Sequence, residues 1–202
     1  MLKNLIASKY LGNKNIAALR SRFSHSKPFP HLVLREFFSP SLIKPVANAL
    51  KQEAFVYQES DLFSFSQTND LKNMHKHPIS EFYHLLNSIE FKEYLSKITN
   101  IEAFGSIDCS GFLYKKNDYL LPHDDQFDKR KISFTMHLGD DFSKRDGGAF
   151  ELFAGNKIVM SYPPQFNTFV FFQLSKGNSV HQISELLSDN VLHTISGWFN
   201  DK

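Results

Sequence analysis

Apolar positions repeat with one period in the first half of the chain and another in the second. Residues 27–40, KPFPHLVLREFFSP, form a proline-bounded run whose VL and FF pairs predict an extended segment. In 39–54, SPSLIKPVANALKQEA, a Ser-Pro start leads into Leu42, Ile43, Val46, Ala47 and Leu50 at helical spacing, which predicts a helix. A second helix is predicted over 79–99, where Phe82, Leu85, Leu86, Ile89, Tyr94 and Leu95 make one apolar stripe. Between the two, QESDLFSFSQTNDLKN (58–73) is polar and irregular and reads as a long loop with a short strand. From about residue 103 the helical period disappears. FGSIDCSGFLYKK, RKISFTMHL, GGAFELFA, KIVMSY, NTFVFFQL and VLHTISGWF are short β-rich runs separated by Gly, Asn, Asp and Pro, the spacing of an antiparallel sandwich or jelly roll and not of βαβ units.

Composition changes this picture little. A chain of 202 residues suits one domain with a full core, and its 21 Phe favour a thick apolar interior around strands. The net charge of +2 gives no reason to expect direct nucleic-acid binding. No apolar run approaches the ~18 residues that cross a bilayer, so no membrane partner is expected. The single cysteine, Cys109, excludes an intramolecular disulfide and fits a reducing, cytoplasmic compartment. The N-terminus is the exception to this neutrality: Lys3, Lys9, Lys14, Arg20, Arg22, Lys27 and Arg35 precede the first acid, Glu36. Residues 1–26 are therefore read as a basic N-terminal helix or arm ahead of one domain, 27–202. An organellar transit segment is the alternative.

Candidate chemistry sits in LPHDDQFDKR, 121–130. Residues i and i+2 of a strand share a face, so His123 can share a metal with Asp125 more easily than with Asp124. Two imidazoles and a carboxylate on one side make the facial triad of non-haem Fe(II), and His-x-Asp supplies two of the three. Alone, such a pair is equally well a polar strand end. Spacing does not choose the third ligand among His137, His181 and His193. His25, His31, His75, His77 and His84 read as surface or packing residues.

Tyr114, Leu120, His123 and Asp125 reproduce Y-x-x-G-x-x-L-x-x-H-x-D, with Asn117 where glycine is usual. With Gly147-Gly148, Asn167, His181 and Ser196-Gly197-Trp198-Phe199, they make residues 27–200 resemble the 2-oxoglutarate and Fe(II)-dependent oxygenases. The prolyl-hydroxylase branch is closest, in particular the enzymes that act on a ribosomal-protein proline. The resemblance implies an α+β, mainly β fold, with a double-stranded β-helix (jelly roll) core and N-terminal supporting helices. It implies His123, Asp125 and His181 as the catalytic metal triad, Fe(II), 2-oxoglutarate and O2 as cofactors (ascorbate as a candidate stimulant), and a protein or peptide substrate. The implied activity is hydroxylation of a protein residue, proline foremost, through a ferryl intermediate with release of succinate and CO2. Tyr114 is implied as a cofactor contact or, equally, a barrel-wall tyrosine.

The sequence departs from the family at the cofactor's far end. The basic residue expected for the C5 carboxylate, six positions before Trp198, is Leu192; the usual tyrosine of an earlier strand is His137. Strand alternation puts Leu192, Thr194, Ser196 and Trp198 on one face and His193 on the other. A hydrogen bond to a charged group contributes about 1.5–3 kcal/mol, so losing the arginine costs roughly 10- to 150-fold in affinity. Three explanations stand at this point. A protonated His137 replaces the pair, a bulge turns His193 inward, or the site takes another small acid or none. The last includes a catalytically altered or inactive protein that acts as a binding module. The basic run KRK (129–131) reads first as a solvated turn and second as a contact for an acidic ligand; Asp140, Asp141, Lys144, Arg145 and Asp146 read as an exposed loop.

Overall fold

The computed structural model describes residues 2–75, 77–127, 129–139 and 142–202, so the Asp140 and Asp141 of the expected loop lie outside the described residues. Four α-helices come early: α1 (Asn13–His25), α2 (Pro40–Leu50), α3 (His77–Asn87) and α4 (Ile89–Thr99). The strands are β1 (His31–Arg35), β2 (Val56–Glu59), β3 (Phe63–Asp70), β4 (Ile107–Tyr114), β5 (Tyr119–His123), β6 (Arg130–His137), β7 (Phe150–Ala154), β8 (Lys157–Tyr162), β9 (Thr168–Gln173), β10 (His181–Ile183) and β11 (Leu192–Asn200). They form one antiparallel sheet in the order β1-β9-β6-β11-β4-β3-β5-β10-β7-β8, with β2 on β3, and the sheet curls into the expected jelly roll. No described helix is long and apolar enough to cross a membrane.

Two expectations are corrected. The helix over 79–99 is two helices, broken at Ser88, whose Oγ accepts from Phe91 N at 3.2 Å and donates to Leu85 O at 2.7 Å. A serine cap satisfies the start of a new helix and so competes with continuing the old one. Beyond the break, Ile89 leaves the apolar stripe and is 56% exposed. The polar loop at 58–73 is instead mostly the β2–β3 hairpin: β3 pairs with β4 and β5, and the first Phe and Ser residues of FSFSQTND alternate across it. The basic N-terminal stretch contains the docked helix α1, whose Leu19 and Phe23 are buried, with Phe23 stacked on Phe171 at 5.8 Å.

Period-two alternation gives the section β9-β6-β11-β4 two unlike faces. Ile132, Phe134 and Met136 of β6, Phe169 and Phe171 of β9, and Ile195 and Phe199 of β11 belong to the core cluster shared with the helices. Phe37 stacks on Phe169 at 5.0 Å and Phe134 tilts onto Phe199 at 5.0 Å. The opposite face turns into the roll and carries Ser133, Thr135 and His137 on β6 and Thr194, Ser196 and Trp198 on β11. Gly197 lets β11 and β4 close on each other, since a Cβ there would stand 2.1 Å from Asp108 O. Gly147, at φ +74°, closes the loop before β7; its added Cβ would meet Glu185 O at 2.0 Å. Asn117 replaces a family glycine without strain of the usual kind, because asparagine is among the few residues that tolerate its φ of 71°.

Candidate metal centre and its cavity

Strands β5 and β10 are antiparallel neighbours, and their register sets His123 directly opposite His181. Asp125 follows β5 on the loop toward β6. His123 Nε2 lies 3.4 Å from Asp125 Oδ1, and His181 Nε2 lies 3.4 Å from Asp125 Oδ2. One ligand atom from each residue falls within 4.8 Å of the others. Both rings are oriented from behind. His123 Nδ1 bonds Leu121 O at 2.8 Å and His181 Nδ1 bonds Ser179 O at 2.9 Å. A carbonyl only accepts, so each Nδ1 carries a hydrogen, which leaves Nε2 as the ring atom that faces the centre and the one available to a metal. Burial opposes ionisation of Asp125, but the two histidines outweigh it and hold the carboxyl well below the usual carboxylate range. Burial likewise opposes charge on His123, and the Asp125 carboxylate more than reverses this. Phe172, at 4.6 Å between centroids, packs on His181.

Asp124 points elsewhere: its Oδ2 accepts from Gly177 N at 2.9 Å and ties the segment leading into β10 to the end of β5. Ser133 and Arg130 are additions to the site that sequence reasoning passed over. Ser133 Oγ donates to Asp125 Oδ2 at 2.8 Å, and Arg130 Nη1 donates to Asp125 O at 3.4 Å while its guanidinium lies 3.4 Å from the centroid of Trp198. The alternation of KISFTMHL would have found Ser133. The basic run 129–131 is not one solvated turn: Lys131 pairs outward with Asp201 at 3.1 Å, while Arg130 turns to the cavity.

The metal cluster opens on a cavity of about 360 Å³. Tyr114, Thr194 and Trp198 line it, together with Thr135, Ser196 and the rings of Phe65, Phe112 and Phe150. His137, Leu192 and His193 do not line it. Burial pushes the Tyr114 hydroxyl's pKa up, helped by the charges of Asp118 and Asp125, so the phenol stays neutral. Burial pushes His137 down to about 4, so a protonated His137 is not available near neutral pH. Nor does a bulge turn His193 inward: β11 keeps unbroken register with β4 from Leu192 to Phe199, and His193 packs edge-on to Phe55 at 6.0 Å outside the cavity. Two of the three explanations for the missing arginine thus fall.

Residues 109–200 match the family model described as 2OG-Fe(II) oxygenase superfamily. The chain is 37% identical over 183 residues to a Xenopus laevis protein named prolyl 3-hydroxylase OGFOD1, a match covering 87% of this chain and 35% of that protein. It is 30% identical over 197 residues to the prolyl 3,4-dihydroxylase OGFOD1 of Ostreococcus tauri, covering 87% of this chain and 38% of that one. The chain thus spans about a third of the length of these curated relatives. Among solved structures, a Pseudomonas putida prolyl-4-hydroxylase superposes with a TM-score of 0.74 at 15% identity, covering 93% of this chain and 99% of that one, and so shares the fold.

Proposed function

Because this chain belongs to the 2OG-Fe(II) oxygenase superfamily, we propose that it hydroxylates a C–H bond of a protein or peptide, at proline. The relatives' names support proline, and one observation carries the reading: the Nε2 atoms of His123 and His181 converge on the two oxygens of Asp125. Nitrogen and carboxylate donors on one side, with fixed tautomers and a cavity on the other, fit Fe(II). Superfamily members use Fe(II), 2-oxoglutarate and O2; bound Fe(II) couples decarboxylation of a 2-oxo acid to transfer of an oxygen atom from O2 into a C–H bond.

The chain's own residues do the rest. Ser133 and Arg130 fix Asp125 at its carboxylate and its carbonyl, so all three donors are placed before a metal arrives. Phe150, Phe172 and Ile183 wall the metal's surroundings against water. Gln58 and Gln67, on the hairpin over the cavity, offer amides to the backbone of an incoming peptide. His123, Asp125 and His181 would hold Fe(II), and the 2-oxo acid end of 2-oxoglutarate would chelate that metal. Its far carboxylate does not find the cation expected of it, since Leu192 and a neutral His137 occupy the two positions. A cytoplasmic location is part of this reading and is supported by the single free thiol, Cys109.

The test is turnover: Fe(II)-loaded protein, a 2-oxo acid panel and proline-containing peptides, read by mass. A gain of one oxygen on proline, lost in His181→Ala, is expected. No metal-dependent consumption of any 2-oxo acid would overturn the reading in favour of a binding module, the alternative that Leu192 favours.

A further inference from the structure

A second compartment, of about 340 Å³, adjoins the metal cavity. The two share five lining residues, Gln58, Gln67 and Trp198 among them. The wall that is not shared carries Asp70 of β3 and Asp108 and Ser110 of β4. Alternation along β4 places them. Tyr114 and Phe112 face the metal cavity, and the same face continues through Ser110 to Asp108, while Ile107 and Cys109 belong to the core packed on the helices.

Charge and open acceptors decide what this compartment takes. Among the described residues that line it, the charged ones are the two carboxylates, and no cation joins them. Arg130 covers the Trp198 ring and lines the metal cavity, not this compartment. Asp108 Oδ2 accepts from Asn200 Nδ2 at 2.8 Å, which leaves most of the acceptor positions of that carboxylate open. Asp70 Oδ1 accepts from Lys72 N at 2.9 Å, and Lys72 Nζ, on a half-exposed side chain, stands 3.5 Å from Oδ2, a pair of little strength. Ser110 lies two residues from Asp108 on the same face and pairs across the strands with Asp70. It is 8% exposed, and its hydroxyl has no hydrogen-bond partner among the described residues, yet it is not sealed from solvent as Trp198 Nε1 is. Buried hydroxyls are almost always paired, so an open one beside two carboxylates points to a ligand rich in donors. An ammonium or guanidinium group brings several N–H donors, a positive charge and no acceptor.

We propose that Asp70, Asp108 and Ser110 form a subsite for a cationic side chain, lysine or arginine, carried by the peptide within two residues of the proline presented to the metal. This rests on the oxygenase reading above. Strand pairing sets the spacing. Asp108 pairs with Trp198 and Trp198 with Ser133, which donates to Asp125, so two strand spacings, about 10 Å, separate the Asp108 backbone from that of Ser133 at the metal's level. A peptide advances at most about 3.5 Å per residue, and a flanking residue with a long side chain covers the gap. Gln58 and Gln67 stand on the wall common to both compartments, where the backbone joining the two residues passes. Asp70 and Asp108 are specificity-determining residues on this view.

The probes are alanine-based peptides with one proline and with lysine, glutamine or glutamate placed in turn at each of the two positions on either side of it. Each is titrated anaerobically into protein loaded with Mn(II) and 2-oxoglutarate, following the fluorescence of Trp198, the chain's single tryptophan. At one position or more the lysine peptide is expected to bind about 10-fold tighter than the glutamine peptide, the gain from one charge-assisted contact. The glutamate peptide is expected to bind weakest, and the differences to shrink as salt is raised. Asp70→Asn with Asp108→Asn, which keeps an acceptor oxygen at each position, is expected to erase the lysine preference. If that pair of changes prevents folding, Asp108→Asn alone is expected to cut the preference to about three-fold. A preference that survives these variants overturns the subsite. No lysine preference at any position, undetected binding included, overturns it as well, and Fe(II)-dependent consumption of 2-oxoglutarate then leaves the oxygenase reading standing. Absence of both the preference and that consumption overturns both.

Discussion

The metal end of the cavity and the buried stretch of β6 and β9 beyond it belong to the same sheet and differ in how their polar groups are held. At the metal end each of the three ligands has a hydrogen-bond partner: the histidines are held by carbonyls and Asp125 by Ser133 and Arg130, while the neighbouring Trp198 Nε1 is itself unpaired. At the far end His137 Nδ1 and Thr168 Oγ1 have none. A metal centre has to be assembled before the metal binds, because its donors repel or hydrogen-bond one another unless held. The triad of the family pattern is intact, while Leu192 and His137 depart from that pattern at positions that do not line the cavity.

The comparison breaks most sharply at Asp125. Asp125→Ala is expected to lower metal affinity by more than about 100-fold in calorimetry, since loss of a supporting residue alone costs roughly 10- to 100-fold. Unchanged affinity would mean that the carboxylate is not a ligand. The next effect belongs to the far end. A histidine whose folded pKa is about 4 against an ordinary 6.5 resists protonation while folded. Its stability contribution is complete above pH 6.5 and is lost as the pH falls from there toward 4. By linkage this is about 2 kcal/mol at pH 5. Urea melts of the wild type and of His137→Leu at pH 7.5 and 5 are expected to differ by that slope, and parallel pH dependence would show that His137 is not buried neutral. Ser133→Ala comes third, with metal affinity down roughly ten-fold and the fold retained by circular dichroism. Smallest is Asp124→Ala, which removes the bond from Gly177 N; metal binding within a few-fold of wild type is expected, and a loss matching Asp125→Ala would reverse the assignment of the two aspartates.

The metal end was legible because its residues are local in sequence: the strand-face rule favoured Asp125 over Asp124, and Asp125 does meet His123, although it does so from the loop just past the end of β5. The third ligand came from the family pattern, since the contact of His181 with His123 depends on the pairing of β5 with β10, which spacing does not encode. Arg130 was misread for the same kind of reason. Its partner, Trp198, is distant in sequence, and a basic run shows nothing of which member turns inward. Depth was the least legible quantity. His137 reads as a usable cation in the sequence, yet its place in the sheet removes it from water and from charge. In the helical part, the stripe through Leu85 and Leu86 was clear while the break at Ser88 was not, because one serine cap is a weak signal inside a strong periodic one.

The two-faced strands have a further consequence for how such a protein diversifies. On β6 and β11 residues that pack against the helices alternate one by one with residues that face the roll, several of which line the cavity, pointing to opposite sides of a single sheet. Mutation at the cavity-lining Ser133, Thr135, Thr194 or Ser196 leaves the phenylalanine layer on the other side in place, so the lining can change without first costing the protein its ability to fold.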